Sequence, residues 1–136
     1  MKILILNGPN LNLLGQREPE IYGSLTMEDF LETLKNDFPA HEILFYQSNI
    51  EGEIINRLQV NDFEALILNA GAFTHYSYAI ADCLKNIGKP KIEVHISNIY
   101  KREDFRQKSV TAAYTDGILS GFGLEGYRLA ILSLNK

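Results

Sequence analysis

One cysteine, Cys83, is all the thiol the chain possesses. That excludes an internal disulfide framework and suits a reducing compartment, with the cytoplasm as the default expectation. Positive charge is also scarce: 13 Lys and Arg stand against 17 Asp and Glu, a formal net charge of -4. This is the reverse of the basic footprint of a nucleic-acid binder, so a small-molecule partner is expected. No apolar run approaches the roughly 18 to 20 residues that cross a bilayer, and the apolar strand at the start has no secretory h-region behind it. Neither membrane attachment nor secretion is expected. The phosphate-cradling patterns GxGxxG and GxxxxGK[ST] are missing after the first apolar run, and His41, His75 and His95 form no HxxxH pair. Nucleotide and metal binding are therefore not expected. There is no internal repeat or low-complexity tract, and 136 residues at 46% apolar suffice for one core but not two, a single domain over 1–136.

What the chain does have is a regular alternation. Met1 to Leu6 (MKILIL) reads as a buried strand, Thr26 and Asp29 as a helix N-cap before Met27, Phe30, Leu31, Leu34 and Phe38, and Glu42 to Gln47 as a second strand. Ile50, Ile54, Ile55 and Leu58 mark a helix beginning near Glu51. A strand follows at Ala65 to Asn69, then a helix over Tyr76 to Ile87, stopped by Gly88 and Pro90. Lys91 to Ile96 reads as the fourth strand, Ser97 to Lys108 as a polar segment holding a short helix, Gly117 to Ser120 as the fifth strand and Leu124 to Leu134 as the last helix. Strands and helices alternating at this spacing imply an α/β three-layer sandwich: a five-stranded parallel sheet in the flavodoxin-like order 2-1-3-4-5, helices on both faces.

The stretch Asn7 to Gly23, NGPNLNLLGQREPEIYG, interrupts the pattern. It is long for a connection in a compact domain, and Leu11, Leu13, Leu14 and Ile21 make it unlike a disordered linker, so an ordered functional loop with a mobile tip is expected. Ligands of such sheets bind outside the carboxyl ends of the strands, where strands one and three diverge. The residues arriving there are polar: Asn7, Asn10, Asn12, Arg17 and Tyr22 after strand one; Asn69, Gly71, Thr74 and His75 after strand three; His95, Ser97 and Asn98 at the end of strand four.

Each invites a plain reading first. A tyrosine at a loop end is commonly a packed ring, an arginine on a loop a solvated charge, and a histidine at strand spacing a satisfied core residue. Arg17, five residues from Tyr22, can fold back and favour a phenolate, since a cation within about 4 to 6 Å lowers an acid's pKa by about 1 to 3. Glu93, two places before His95, points to the same sheet face, and a carboxylate beside an imidazole fixes its tautomer and favours its charged form. His75 reads either as a site residue or as a polar residue at a helix start. His41, beside Pro39, reads as a surface residue without function.

Taken together, NGPNLNLLGQREPEIYG (7–23), NAGAFTHYSYAIAD (69–82), EVHISN (93–98) and REDFR (102–106) strongly resemble the type II 3-dehydroquinate dehydratase (type II dehydroquinase) family, in family order along nearly the whole chain. The resemblance implies a cofactor-independent, metal-free lyase that reversibly dehydrates 3-dehydroquinate to 3-dehydroshikimate in the shikimate pathway or in quinate catabolism. It implies that Tyr22 takes the proton from C2 with Arg17 beside it, that Asn10 holds a water at the enolate oxygen, and that His95, oriented by Glu93, protonates the departing C1 hydroxyl. Asn69, Ser97 and the Ile96 and Ser97 backbone amides would hold the substrate carboxylate; His75, Arg106 and Asp82 the ring hydroxyls, Asp82 reaching a neighbouring subunit; Arg102 the entrance. It further implies a homododecamer of four trimers. Gln16, Ala70 and Tyr100 depart from the residues usual in the family, none at a catalytic position. Two rivals from other classes, a non-catalytic binder of a polyhydroxy acid and a structural oligomer, are disfavoured by the presence of both Tyr22 and His95.

Overall fold

In the computed structural model, residues 1–15 and 25–135 are described. Five strands, β1 (Lys2–Asn7), β2 (Glu42–Gln47), β3 (Ala65–Asn69), β4 (Lys91–His95) and β5 (Gly117–Ser120), pair in parallel in the order β2-β1-β3-β4-β5. Four α-helices accompany them among the described residues: α1 (Met27–Asp37), α2 (Glu51–Val60), α3 (Tyr78–Lys85) and α4 (Glu125–Leu134). The expected fold class and strand order are therefore observed.

Strand alternation sorts the core into two layers. Ile3, Ile5, Ala65, Ile67, Ile92 and Val94 face one side, where they pack with Phe30, Leu31 and Leu34 of α1 and Tyr127, Ala130 and Ile131 of α4. Leu4, Leu6, Leu66 and Leu68 face the other, against Ile54 and Leu58 of α2 and Ile80 and Leu84 of α3. Both layers bury the strands, which is why they read as continuous apolar runs. Gly126 lets α4 approach closely, since a Cβ there would lie 3.1 Å from Val94 Cγ1. Arg128 joins α4 to α1 by an ion pair with Asp37 and lies over the Phe30 ring, 5.6 Å from its centroid.

Boundaries shift where local hydrogen bonding overrides periodicity. β1 runs one residue further than expected, to Asn7, because its register with β3 continues to the Asn7–Asn69 pair. The expected helix start at Tyr76 is replaced by a 3-10 turn, Gly71–His75, and α3 begins only at Tyr78, where the Ser77 hydroxyl accepts the Ile80 N–H. β4 stops at His95 rather than Ile96, and the segment expected to hold one short helix holds two 3-10 turns, Ile99–Lys101 and Asp104–Arg106. Thr26 does cap α1, accepting the Asp29 N–H at 3.1 Å.

Candidate active site

The strand ends converge on a cavity of about 230 Å³ at the β1/β3 divergence, at the small end of ligand cavities. β1 and β3 stay close one residue beyond their pairing, where the Gly8 N–H donates to the Asn69 carbonyl at 2.7 Å. Only glycine fits there, because a Cβ on residue 8 would lie 2.3 Å from the Ala70 carbonyl oxygen. The chain then turns through Asn10, whose φ of 68° is a left-handed conformation that asparagine tolerates, and its N–H is held by Asn49 Oδ1 at 3.0 Å. Leu11, Leu13 and Leu14, which follow this turn, line the cavity with Asn69, Gly71 and Ala72.

His95 lines the same cavity and donates from Nε2 to Glu93 Oε2 at 2.8 Å. Glu93 is almost fully buried and gathers two further donors, the Ser109 hydroxyl at 2.9 Å and the Thr111 hydroxyl. Burial pushes its carboxyl toward the neutral form, but the hydrogen bonds from His95 and Thr111, the charge of the ring and the Ser109 hydroxyl outweigh this and hold it below the ordinary carboxylate value. An ionised Glu93 requires the proton on His95 Nε2. Nδ1 is then the ring nitrogen without a partner among the described residues.

His75 lies at the end of its 3-10 turn with its ring 6.5 Å from that of His95 at 21°. Its Nδ1 is 2.7 Å from the Lys108 carbonyl, which can only accept, so Nδ1 carries the proton and Nε2 is left over. The same strap, residues 108–111, thus holds His75 directly and His95 through Glu93. It is anchored by the Val110 N–H on the Thr74 carbonyl at 2.8 Å.

Ile96, Ser97, Arg102 and Arg106 close the remaining side. Arg102 Nη1 is 3.4 Å from the Ser97 hydroxyl, and Arg106 Nε donates to Glu103 at 3.0 Å. Two guanidinium groups thus line the cavity of an acidic protein, that of Arg106 paired with Glu103.

Of the residues singled out from sequence, Asn10, Asn69, His75, His95, Ile96, Ser97, Arg102 and Arg106 are brought together around this cavity, with Glu93 behind His95. Asp82 is not among them; it is exposed on α3. Arg17 and Tyr22 lie outside the described residues, as does the expected tip of their loop. Sequence reasoning missed Ser109, Thr111, the Lys108 carbonyl and Tyr127, whose contacts span 16 to 120 residues and leave no local pattern. His41 is surface-lying as expected but bonded at both nitrogens, to the Met1 amino group at 3.0 Å and to Asn135 at 2.7 Å. Among the described residues no cluster of three or more His, Cys, Asp or Glu could hold a metal, and no helix is long and apolar enough to cross a membrane.

A doubly wound parallel sheet whose polar strand ends enclose a carboxylate-backed histidine defines an α/β protein of the flavodoxin-like kind with a polar cavity at its switch point. The chain belongs to the class II dehydroquinase family, whose model matches residues 1–135. A 3-dehydroquinate dehydratase of Thermotoga petrophila is 52% identical over 141 residues, covering 100% of this chain and 96% of that protein. One from Carboxydothermus hydrogenoformans is 51% identical, covering 98% and 90%. The crystal structure of a type II dehydroquinase from Butyrivibrio crossotus superposes with a TM-score of 0.94 at 46% identity, covering 100% and 98% of the two chains.

Proposed function

We propose that the whole chain acts as one catalytic domain that reversibly dehydrates 3-dehydroquinate to 3-dehydroshikimate by anti elimination through an enolate, without a cofactor. The observation that carries this reading is the buried Glu93–His95 pair at the rim of a small polar cavity, in a chain of this family. Tyr22, as a phenolate favoured by Arg17, takes the C2 proton, which is acidic because it lies alpha to the C3 ketone. The electron pair moves onto the ketone oxygen, where Asn10 and a water it holds stabilise the enolate. Collapse of the enolate expels the C1 hydroxyl, protonated by His95 through Nδ1 while Glu93 keeps the ring oriented. The hydroxide takes the proton from His95 and leaves as water, and the C2 proton held on Tyr22 then passes through solvent back to His95, so the substrate has lost one water and the enzyme is restored.

Asn69, the Ser97 hydroxyl and the Ile96 and Ser97 backbone amides hold the substrate carboxylate, with Arg102 lining its entrance. His75 and Arg106 face the ring hydroxyls, and Asp82 acts on the site of a neighbouring copy within a trimer, four trimers making a dodecamer. The reaction belongs to the shikimate pathway or to quinate catabolism, in the cytoplasm, with no nucleic-acid or membrane partner. The test is to add 3-dehydroquinate to the pure protein and follow the absorbance of the conjugated enone product. Growth of that band, abolished in His95→Ala, is the expected result; a protein that binds the compound and leaves it unchanged overturns the reading.

A further inference from the structure

The strand-end asparagines Asn7 and Asn69 are register partners on neighbouring strands and continue the apolar rows Ile3–Ile5 and Ala65–Ile67. They therefore project to the α4 side of the sheet, beneath the cavity, where the fully buried Tyr127 ends between them. The hydrogen bonds have one direction. The Gly71 N–H, which can only donate, is 3.2 Å from Asn69 Oδ1; this assigns the amide and turns Asn69 Nδ2 to the Tyr127 hydroxyl at 3.0 Å. The hydroxyl, accepting there, donates to Asn7 Oδ1 at 2.7 Å. Burial raises the Tyr127 pKa far above its ordinary value, more than the bonds with Asn69 and Asn7 offset, so the group stays a neutral hydroxyl at any working pH. With one Nδ2 hydrogen committed, the second is the side-chain donor of Asn69 without a partner among the described residues, and Asn69 lines the cavity.

We propose that Tyr127 is a positioning residue: reaching up from α4, its hydroxyl locks the Asn69 amide so that one N–H is presented to the substrate carboxylate. Asn7, whose Nδ2 is buried without a partner among the described residues, anchors that lock through Oδ1 alone. The inference rests on the assignment of Asn69 to the carboxylate made above. It gives the C-terminal helix a part in substrate recognition that none of its residues could play by contact.

The experiment is a double-mutant cycle on the intact protein with Tyr127→Phe, Asn69→Ala and the pair, reading KM and kcat from enone absorbance. Tyr127→Phe is expected to raise KM about 3- to 10-fold, the equivalent of one net hydrogen bond, with kcat changed less. In the Asn69→Ala background the same change should have no further effect on KM. A wild-type KM in Tyr127→Phe, or an effect that persists undiminished without Asn69, overturns the proposal. An Asn69→Ala enzyme with unaltered KM removes the carboxylate assignment itself, and the proposal with it. Should Tyr127→Phe fail to fold, Asn7→Leu/Tyr127→Phe removes both partners of one buried bond together, and the raised KM is expected to remain; a wild-type KM in that folded variant overturns the proposal equally.

Discussion

A carboxylate only 1% exposed is ordinarily driven to its neutral form, yet Glu93 receives three side-chain donors and stays ionised below its usual range. Because its folded pKa lies beneath the unfolded value near 4.5, it contributes stability above that value which is lost as pH falls through the folded pKa. Thr111→Val removes one donor and raises the folded pKa. It should cost about 1.5 to 3 kcal/mol at pH 7 and move acid unfolding to higher pH; circular-dichroism melts at pH 7 and pH 4 will read it, and an unmoved acid transition would show that Thr111 is not holding the charge. Tyr22→Phe, which keeps the ring and removes the base, should lower kcat by about 10²- to 10⁴-fold with folding intact. Retention of most activity would end the assignment of Tyr22. An imine mechanism is the chemical alternative, and among the described residues no lysine lines the cavity. Lys91, which is buried, sits at the start of β4 with Nζ on the carbonyls of Ile87 and Lys89. Borohydride added during turnover should therefore leave no reduced adduct on the protein, by intact mass.

At the scale of elements, the site exists because strand ends approach more closely than side chains would allow. Gly8→Ala places a methyl 2.3 Å from a backbone oxygen that cannot turn away, so β1 and β3 must part just where Asn7, Asn10 and Asn69 are set. The expected loss is about 2 kcal/mol or more, a Tm lower by several degrees, together with a raised KM. Gly52 in α2 is the control: an added methyl there meets nothing within 4 Å, and Ala should stabilise by about 0.5 to 1 kcal/mol. Equal melting temperatures for the two variants would refute the close-approach argument. The strap at residues 108–111 acts on the same principle, since one short segment supplies a carbonyl to His75 and hydroxyls to Glu93, coupling the two rings without a helix or a strand.

At the scale of the whole molecule, exposed Asp82 on α3 stands apart from the cavity of its own chain, and its proposed task requires a second copy. Asp82→Ala should weaken substrate binding or assembly more than it lowers kcat, by sizing chromatography with kinetics on the same sample. A monodisperse monomer of the unmodified chain with full activity would sink both the subunit-crossing role and the dodecamer.

Short continuous apolar runs alternating with stretches of period 3.6 were sufficient to place the strands and helices, because burial on both faces writes itself directly into residue type along each element, and the order of the sheet followed from their alternation as a flavodoxin-like expectation. The same logic placed Asn69, His75, His95 and Ser97 at strand ends, since polar groups standing where apolar ones would serve must be exposed to something other than core, whereas Arg106 came only from the family resemblance. Glu93 and His95 were legible as a pair because two residues is one strand period. Tertiary structure alone decided what stands behind them: Tyr127 reaches Asn69 across 58 residues, and Thr111 reaches Glu93 across 18. A hydroxyl's partner is set by the packing of α4 and the strap against the sheet, a geometry that no periodicity within either segment encodes.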